Sequence, residues 1–243
     1  MIEMLNCDCM EYMAGLPDKA FELAIVDPPY GIGWAGENLA MSKGIRKDGT
    51  CRDDKSWRAR NYEQKYETKD WDDCAPSPEY FKELMRVSKN QIIWGGNYFD
   101  LPRTGGWIIW DKRKPEGFSL SQGEIAWHSG SNSMRIFHWL WHGWSQEQPE
   151  ERIHPTQKPV ALYKWLLSRY AKPGDKILDT HGGSGSICIA CHDLGFDLTW
   201  MEIDADYYAA ACKRYKDHAA QAVLFEPQEI RQKTYNNEFD LTT

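Results

Sequence analysis

The sequence predicts an α/β fold built on a doubly wound, mainly parallel sheet. Three observations carry this expectation. Past Pro155, strand and helix patterns alternate, which is the signature of βαβ units. Near the N-terminus, the apolar run Phe21–Val26 stops at Asp27-Pro28-Pro29, as a buried strand does when it enters a loop. Between a predicted strand and a predicted helix lies the glycine-rich turn Asp179-Thr-His-Gly-Gly-Ser-Gly185.

Taken in order, Phe21–Val26 is the first predicted strand. Residues 31–70 are Gly-rich at first, then charged and poor in aliphatics, and read as a long loop insertion. Pro78–Val87 has helical spacing, with Phe81, Leu84, Met85 and Val87 apolar. Gln91–Trp94 and Gly106–Trp110 are predicted strands, the first closed by Gly95-Gly96. Residues 111–153 are polar, rich in tryptophan and without a clear period, and are expected to be a second insertion. Val160–Tyr170 is a predicted helix stopped by Pro173-Gly174. A strand at Lys176–Leu178, a helix at Ser186–Leu194, a strand at Leu198–Met201 and a helix at Ala205–Tyr215 follow. The last twenty or so residues are polar and expected to be loosely held.

The chain has 243 residues, 42% apolar and 27% charged, enough for one large domain that buries a core without disulfides. Mean hydropathy is −0.66 and no apolar run approaches the roughly 18 residues of a membrane span. No secretory leader is predicted at the start, and the seven irregularly spaced cysteines read as reduced thiols. The expectation is a cytoplasmic protein with no membrane partner. Net charge is −7, yet residues 41–66 hold eight Lys/Arg against four acids, so the remainder carries −11. A basic segment on an acidic body is compatible with a polyanionic partner.

The glycines of 179–185 let backbone approach a ligand closely, and the helix they open offers free N–H groups to an anion. Glu202 ends the next predicted strand, where an acid can accept hydrogen bonds from both hydroxyls of a ribose. An adenosine-containing cofactor is the expectation, against the plainer alternative of a tight turn with no ligand. The spacing is not the G-x-G-x-x-G of nicotinamide enzymes, which argues against an oxidoreductase.

Asp27-Pro28-Pro29-Tyr30 places a carboxylate, rigid carbonyls and a flat ring at the carboxyl end of a strand, where ligands sit in open α/β sheets. These groups suit a planar heterocycle bearing an exocyclic amino group. In isolation, a sharp Pro-Pro turn with a surface acid is the plainer reading.

The two motifs are not isolated. Together, DPPY after one strand and D-x-x-x-G-S-G after another resemble the DNA amino-methyltransferases that use S-adenosylmethionine. Asn6-Cys-Asp8-Cys, Leu16-Pro17-Asp18, His154-Pro-Thr-Gln-Lys-Pro159, and Glu202-Ile-Asp204 followed by Tyr207 extend the resemblance. With the catalytic motif first and the cofactor loop last, the order is that of the family's β group. The resemblance covers most of residues 1–30 and 154–215. One departure stands out: Thr180-His181 occupy the place where the family has Pro-Phe.

The resemblance implies a Rossmann-like methyltransferase sheet with circularly permuted motif order, spanning 1–243 as one domain. It also implies a basic DNA-contact loop at 31–70 and a target-recognition insertion at 111–153. The implied activity is methyl transfer from S-adenosylmethionine to N6 of adenine in double-stranded DNA, with base flipping and in a restriction-modification setting. Cytosine N4, RNA or a protein amide are alternative targets, and a non-catalytic DNA-binding accessory is a rival from another class. Asp27, Pro28, Pro29 and Tyr30 are the implied catalytic set. Asp8, Thr156, Lys158, Asp179, Gly183, Ser184, Gly185 and Glu202 are implied around the cofactor. Relatives in this group often dimerise, which allows a homodimer.

The remaining patterns point to less. Cys188-x-x-Cys191 has metal-ligand spacing but lies in an apolar helix without a second pair, so no metal is expected. Seven of the twelve tryptophans fall between 94 and 144, where packing explains most of them. His138 and His142 are expected to be polar surface partners.

Overall fold

The computed structural model describes residues 1–33, 69, 71–114, 121–142 and 145–221. The chain divides into two units, Met1–Asp27 with Pro78–Thr243, and Pro28–Ser77. The basic segment 41–66 and the polar C-terminal tail lie outside the described residues.

In the larger unit the strands are β1 (Ile2–Leu5), β2 (Phe21–Val26), β3 (Ser88–Trp94), β4 (Gly106–Asp111), β5 (Gly123–His128), β6 (Arg135–His138), β7 (Trp141–His142), β8 (Ser145–Gln146), β9 (Lys176–Asp179) and β10 (Asp197–Met201). The helices are α1 (Cys9–Ala14), α2 (Pro78–Val87), α3 (Val160–Tyr170), α4 (Ser186–Leu194) and α5 (Ala205–Ala219). Eight strands form one sheet in the order β1-β10-β9-β2-β3-β5-β4-β6, and β7 and β8 form a separate hairpin. Pairings from β1 through β3 are parallel; β5 alone runs against its neighbours.

Burial on both faces explains the near-continuous apolar strands. Leu23, Ile25, Ile92, Trp94, Ile177, Leu198 and Trp200 point to one side, where α3, α4 and α5 pack. Their alternates Ala24, Val26, Ile93, Leu178 and Met201 point to the other, against α1 and α2. A fully buried aliphatic of this kind contributes about 1.5–3 kcal/mol. Each helix has a sequence reason for its ends. Pro78 opens α2 where its missing N–H costs nothing, and Asp204 caps α5 through the amides of Asp206 and Tyr207. Arg86 ties α2 to α1 by donating to the Met13 and Leu16 carbonyls at 2.8 and 2.7 Å.

All the strands and helices expected between 21 and 110 and between 160 and 215 are present, most of them a residue or more longer. The sheet differs from expectation within 111–153. Residues 123–128 and 135–138 belong to the main sheet as β5 and β6, and are framework rather than insertion. Strand β5 lies between β3 and β4, with Ala126 and Trp127 buried on opposite faces, so no polar alternation marks it. Strand β1 is equally unmarked, being four residues long and only partly buried at the sheet edge.

Candidate functional site

The site begins at a reversal in the winding. From β2 the chain crosses through α2 to β3, on one side. From β9 it crosses through α4 to β10, on the other. Adjacent strands whose crossovers diverge leave a crevice beyond their carboxyl ends. Asp27 follows β2 there, and Asp179 ends β9.

The glycine turn is shaped by its neighbours. The Gly182 amide donates to the Met201 carbonyl at 2.8 Å, and a Cβ at Gly182 would stand 1.8 Å from the Trp200 ring. Gly183 and Gly185 have φ of 51° and 67°, in the left-handed region that side chains avoid. The Glu202 carboxylate fastens this turn to the end of β10. One oxygen accepts the Gly183 amide and the other the Asp204 amide, both at 2.8 Å. Burial raises the Glu202 pKa in spite of these bonds. Arg214 on α5 donates to the Ser184 carbonyl at 2.9 Å and pairs with Glu150 at 2.8 Å, while the Ser184 hydroxyl lies 3.0 Å from that of Ser186.

Asp179 is buried, and that burial pushes its carboxyl well above the usual carboxylate range; Asp27 and Glu202 push the same way. A folded-state pKa above the unfolded value stabilises the fold below the unfolded pKa of about 3.9. That contribution is lost as pH rises through the folded pKa. Asp179→Asn is therefore expected to raise the melting temperature of the ligand-free protein at pH 8 by a few degrees. It should also flatten the loss of stability between pH 5 and pH 8. Thermal unfolding at both pH values checks this, and parallel losses in the two proteins would refute it.

His181 is held at about 4 by burial. It is a neutral ring at physiological pH, edge-on to Tyr80 at 5.1 Å, with Nδ1 3.0 Å from the Thr180 hydroxyl.

The other expected cofactor residues are also placed by local bonds. Asp8 follows β1 and caps α1, its Oδ1 accepting the Met10 amide at 2.6 Å. The ring of His154 packs on Tyr207 at 4.3 Å, and its Nδ1 lies 3.1 Å from the Thr156 hydroxyl. Lys158 is placed by ion pairs. Its side chain, 2% exposed, contacts Asp27 Oδ2 and reaches Glu124 Oε2 at 3.1 Å, while Lys112 contacts Glu124 Oε1. The Lys158 ammonium lies 5.2 Å above the Trp94 ring. Burial alone would raise Glu124, but Lys112 and Lys158 outweigh it and hold the carboxyl at about 2. Burial would likewise pull Lys158 down, and Asp27 and Glu124 reverse it, keeping the ammonium charged.

Within the smaller unit, the loop after Pro29 is anchored on Asp72. This buried carboxylate accepts the Tyr30 and Gly31 amides at 2.7 and 3.1 Å, and the Asp72 carbonyl accepts the Gly33 amide at 3.0 Å.

Sequence reasoning missed Glu124, Lys112 and Asp72. Glu124 and Lys112 lie in a stretch without period, and Asp72 is one acid among many in a charged run. Among the described residues, no group of three or more His, Cys, Asp or Glu could hold a metal ion. Cys188 and Cys191 are buried thiols of α4 whose pKa values burial pushes far up. His138 pairs with Asp111 at the surface, 2.8 Å apart. No helix among the described residues is long and apolar enough to cross a membrane.

Residues 106–213 match the N6_N4_Mtase family model, described as DNA methylase. The chain is 27% identical to the Type II methyltransferase M.HinfI of Haemophilus influenzae over 88% of this chain and 68% of that one. Among solved structures it resembles the M1.HpyAVI–SAM complex, with a TM-score of 0.52 and 20% identity over 88% of this chain and all of that one. It also resembles the cytosine-N4-specific PvuII DNA methyltransferase, with a TM-score of 0.51 and 12% identity over 98% and 93% of the two chains. These likenesses show the Rossmann-like methyltransferase fold.

Proposed function

We propose that this chain, which carries the DNA methylase domain of the N6/N4 family, transfers a methyl group from S-adenosylmethionine to N6 of adenine in double-stranded DNA. The observation that carries the reading is the pair of carboxylates at the switch point. Asp27 stands beyond β2, on the side proposed for the substrate, and the Asp179 turn, tied to Glu202 through the Gly183 amide, stands on the side proposed for the cofactor.

The residues present fit the cofactor. The turn at 182–185 carries no side chain of its own except that of Ser184, and the nearest atoms to a Cβ at Gly183 would be those of the His154 ring, at 3.7 Å. Each Glu202 oxygen accepts one amide, which leaves lone pairs for two ribose hydroxyls. Asp179, buried and in no ion pair among the described residues, suits the positive methionine end, lined by Gly183, Ser184 and Gly185. Asp8 would take the adenine end, with Thr156 close to the methionine side. When bound, S-adenosylmethionine supplies an electrophilic methyl group on sulfur.

The protein's own work is done on the amino group. That nitrogen is a poor nucleophile because its lone pair is delocalised into the base. Hydrogen bonds from its two N–H groups to the Asp27 carboxylate and the Pro28 carbonyl favour a tetrahedral nitrogen whose lone pair is free to attack the methyl carbon. As the N–C bond forms, the carbon–sulfur bond breaks, and one amino proton passes to Asp27. Pro29 keeps this corner rigid, and the Tyr30 ring stacks on the flipped base. The basic segment 41–66 is proposed to contact phosphates, and the loops of 111–153 outside the sheet to read the target. The DPPY tetrapeptide, commoner with adenine in this family, favours N6 over cytosine N4.

Mass spectrometry of nucleosides from duplex DNA incubated with the protein and methyl-labelled S-adenosylmethionine tests the reading. Label in N6-methyladenine is the expected result. Label in N4-methylcytosine moves the target to cytosine, and no labelled base overturns the reading.

A further inference from the structure

Four charges of alternating sign run from the proposed catalytic carboxylate into the body of the sheet. Asp27 follows β2, Lys158 precedes α3, Glu124 lies on β5 and Lys112 follows β4. Lys158 contacts Asp27 Oδ2 and stands 3.1 Å from Glu124 Oε2; Lys112 contacts the other Glu124 oxygen. Both ammonium groups lie over tryptophan faces, Lys158 over Trp94 at 5.2 Å and Lys112 over Trp110 at 4.7 Å. Apolar residues of the same volume would pack such a place at equal or better stability, because removing paired charges from water costs about what their attraction returns. The chain of charges thus calls for a role beyond holding the fold.

We propose that Glu124 is a positioning residue for the methyl-transfer step, acting on Asp27 through the Lys158 ammonium that bridges the two carboxylates. This rests on the reading of Asp27 given above. A cation held by Asp27 alone would fix the carboxylate in place but would also draw its electron density away from the amino group it must accept. Glu124 takes part of that attraction. Asp27 is then held in one orientation, ionised, and still basic enough to receive the amino proton. Lys112 sets how strongly Glu124 draws on Lys158. Among the described residues, the groups acting on this bridge include Lys112 and Lys114 after β4, Glu124 on β5, Lys158 before α3, Tyr163 on α3, and Asp179 at the end of β9, with Arg152 beside Lys114.

Opposite substitutions should have opposite effects, which a merely structural bridge would not produce. In Glu124→Gln the full charge of Lys158 falls on Asp27. The acid limb of the kcat–pH profile is expected to move down by about one pH unit, and the plateau kcat to fall about tenfold, with cofactor Kd unchanged. In Lys158→Met the carboxylates Asp27, Glu124 and Asp179 face one another without the cation, and the limb is expected to move up. If Glu124→Gln fails to fold, Lys112→Met serves in its place: Glu124 then draws harder on Lys158, and the limb is expected to move up. Limbs that stay with the wild type in folded variants overturn the inference, as does movement in the same direction for Glu124→Gln and Lys158→Met. So does a loss confined to cofactor affinity. A wild-type protein that labels DNA while the limbs stay fixed overturns only the bridge; one that labels no base overturns the reading of Asp27 with it.

Discussion

Asp27→Ala is expected to lower methyl transfer to DNA at least a thousandfold, to the order of 10³ or beyond. Two contributions make the effect large. Loss of a preorganised partner for the reacting group costs about 10²–10³, and loss of the proton acceptor about 10²–10⁴; they act on the same step and do not add in full. The cofactor is proposed to be held from the other strand, by the turn that follows β9 and by Glu202, so its Kd should stay within about threefold of the wild type. Lys158 keeps Glu124 as a counterion in the variant, so the fold should survive. Single-turnover methyl transfer, with cofactor titration alongside, checks the expectation. An active Asp27→Ala protein would sink the mechanism.

Glu202→Ala is expected to weaken cofactor binding about a hundredfold. Its carboxylate ties the Gly183 and Asp204 amides together and is proposed to accept two ribose hydroxyls. Hydrogen bonds to a charged group are worth about 1.5–3 kcal/mol each, and about 3 kcal/mol in total corresponds to the predicted loss. Two amides lose their acceptor as well, so the melting temperature should fall. Glu202→Gln retains one strong acceptor and should lose only about tenfold. Calorimetric titration of both variants decides the matter: equal, unchanged affinities would place the ribose elsewhere. A stability loss without an affinity loss would leave Glu202 with a purely structural role in the turn.

Much of the framework was legible because burial on two faces leaves continuous apolar strands. Phe21–Val26 stands out for that reason, Gly106–Trp110 stands out as an apolar run although only its alternate residues are fully buried, and after residue 160 helices and strands alternate along the chain. Strand β5 was not legible. Its partners β3 and β4 both precede it in the chain, and sequence carries no trace of a strand inserted between two others. The glycine turn and Glu202 are recognisable as a pair because they flank one helix–strand unit, α4 and β10, and the close approach of Gly182 to Trp200 leaves only glycine as a fit. The family resemblance of the HPTQKP segment implies Lys158 near the cofactor. Its ammonium pairs with Asp27 and Glu124, contacts that the segment's place in the chain does not show.

The local chemistry was therefore determined by sequence alone: an acid and two prolines after a strand, a glycine turn after another, and an acid after a third. These are properties of neighbouring residues, and neighbouring residues are enough to specify them. The tertiary structure decided what each group faces. Asp27 and Asp179 share one crevice because β2 pairs with β9 across about 150 residues of chain. Glu124 meets Lys158 because β5 enters the sheet beside β3. Long-range pairing sets those contacts, and with them the local dielectric and the partner of each charge, which no spacing along the chain encodes.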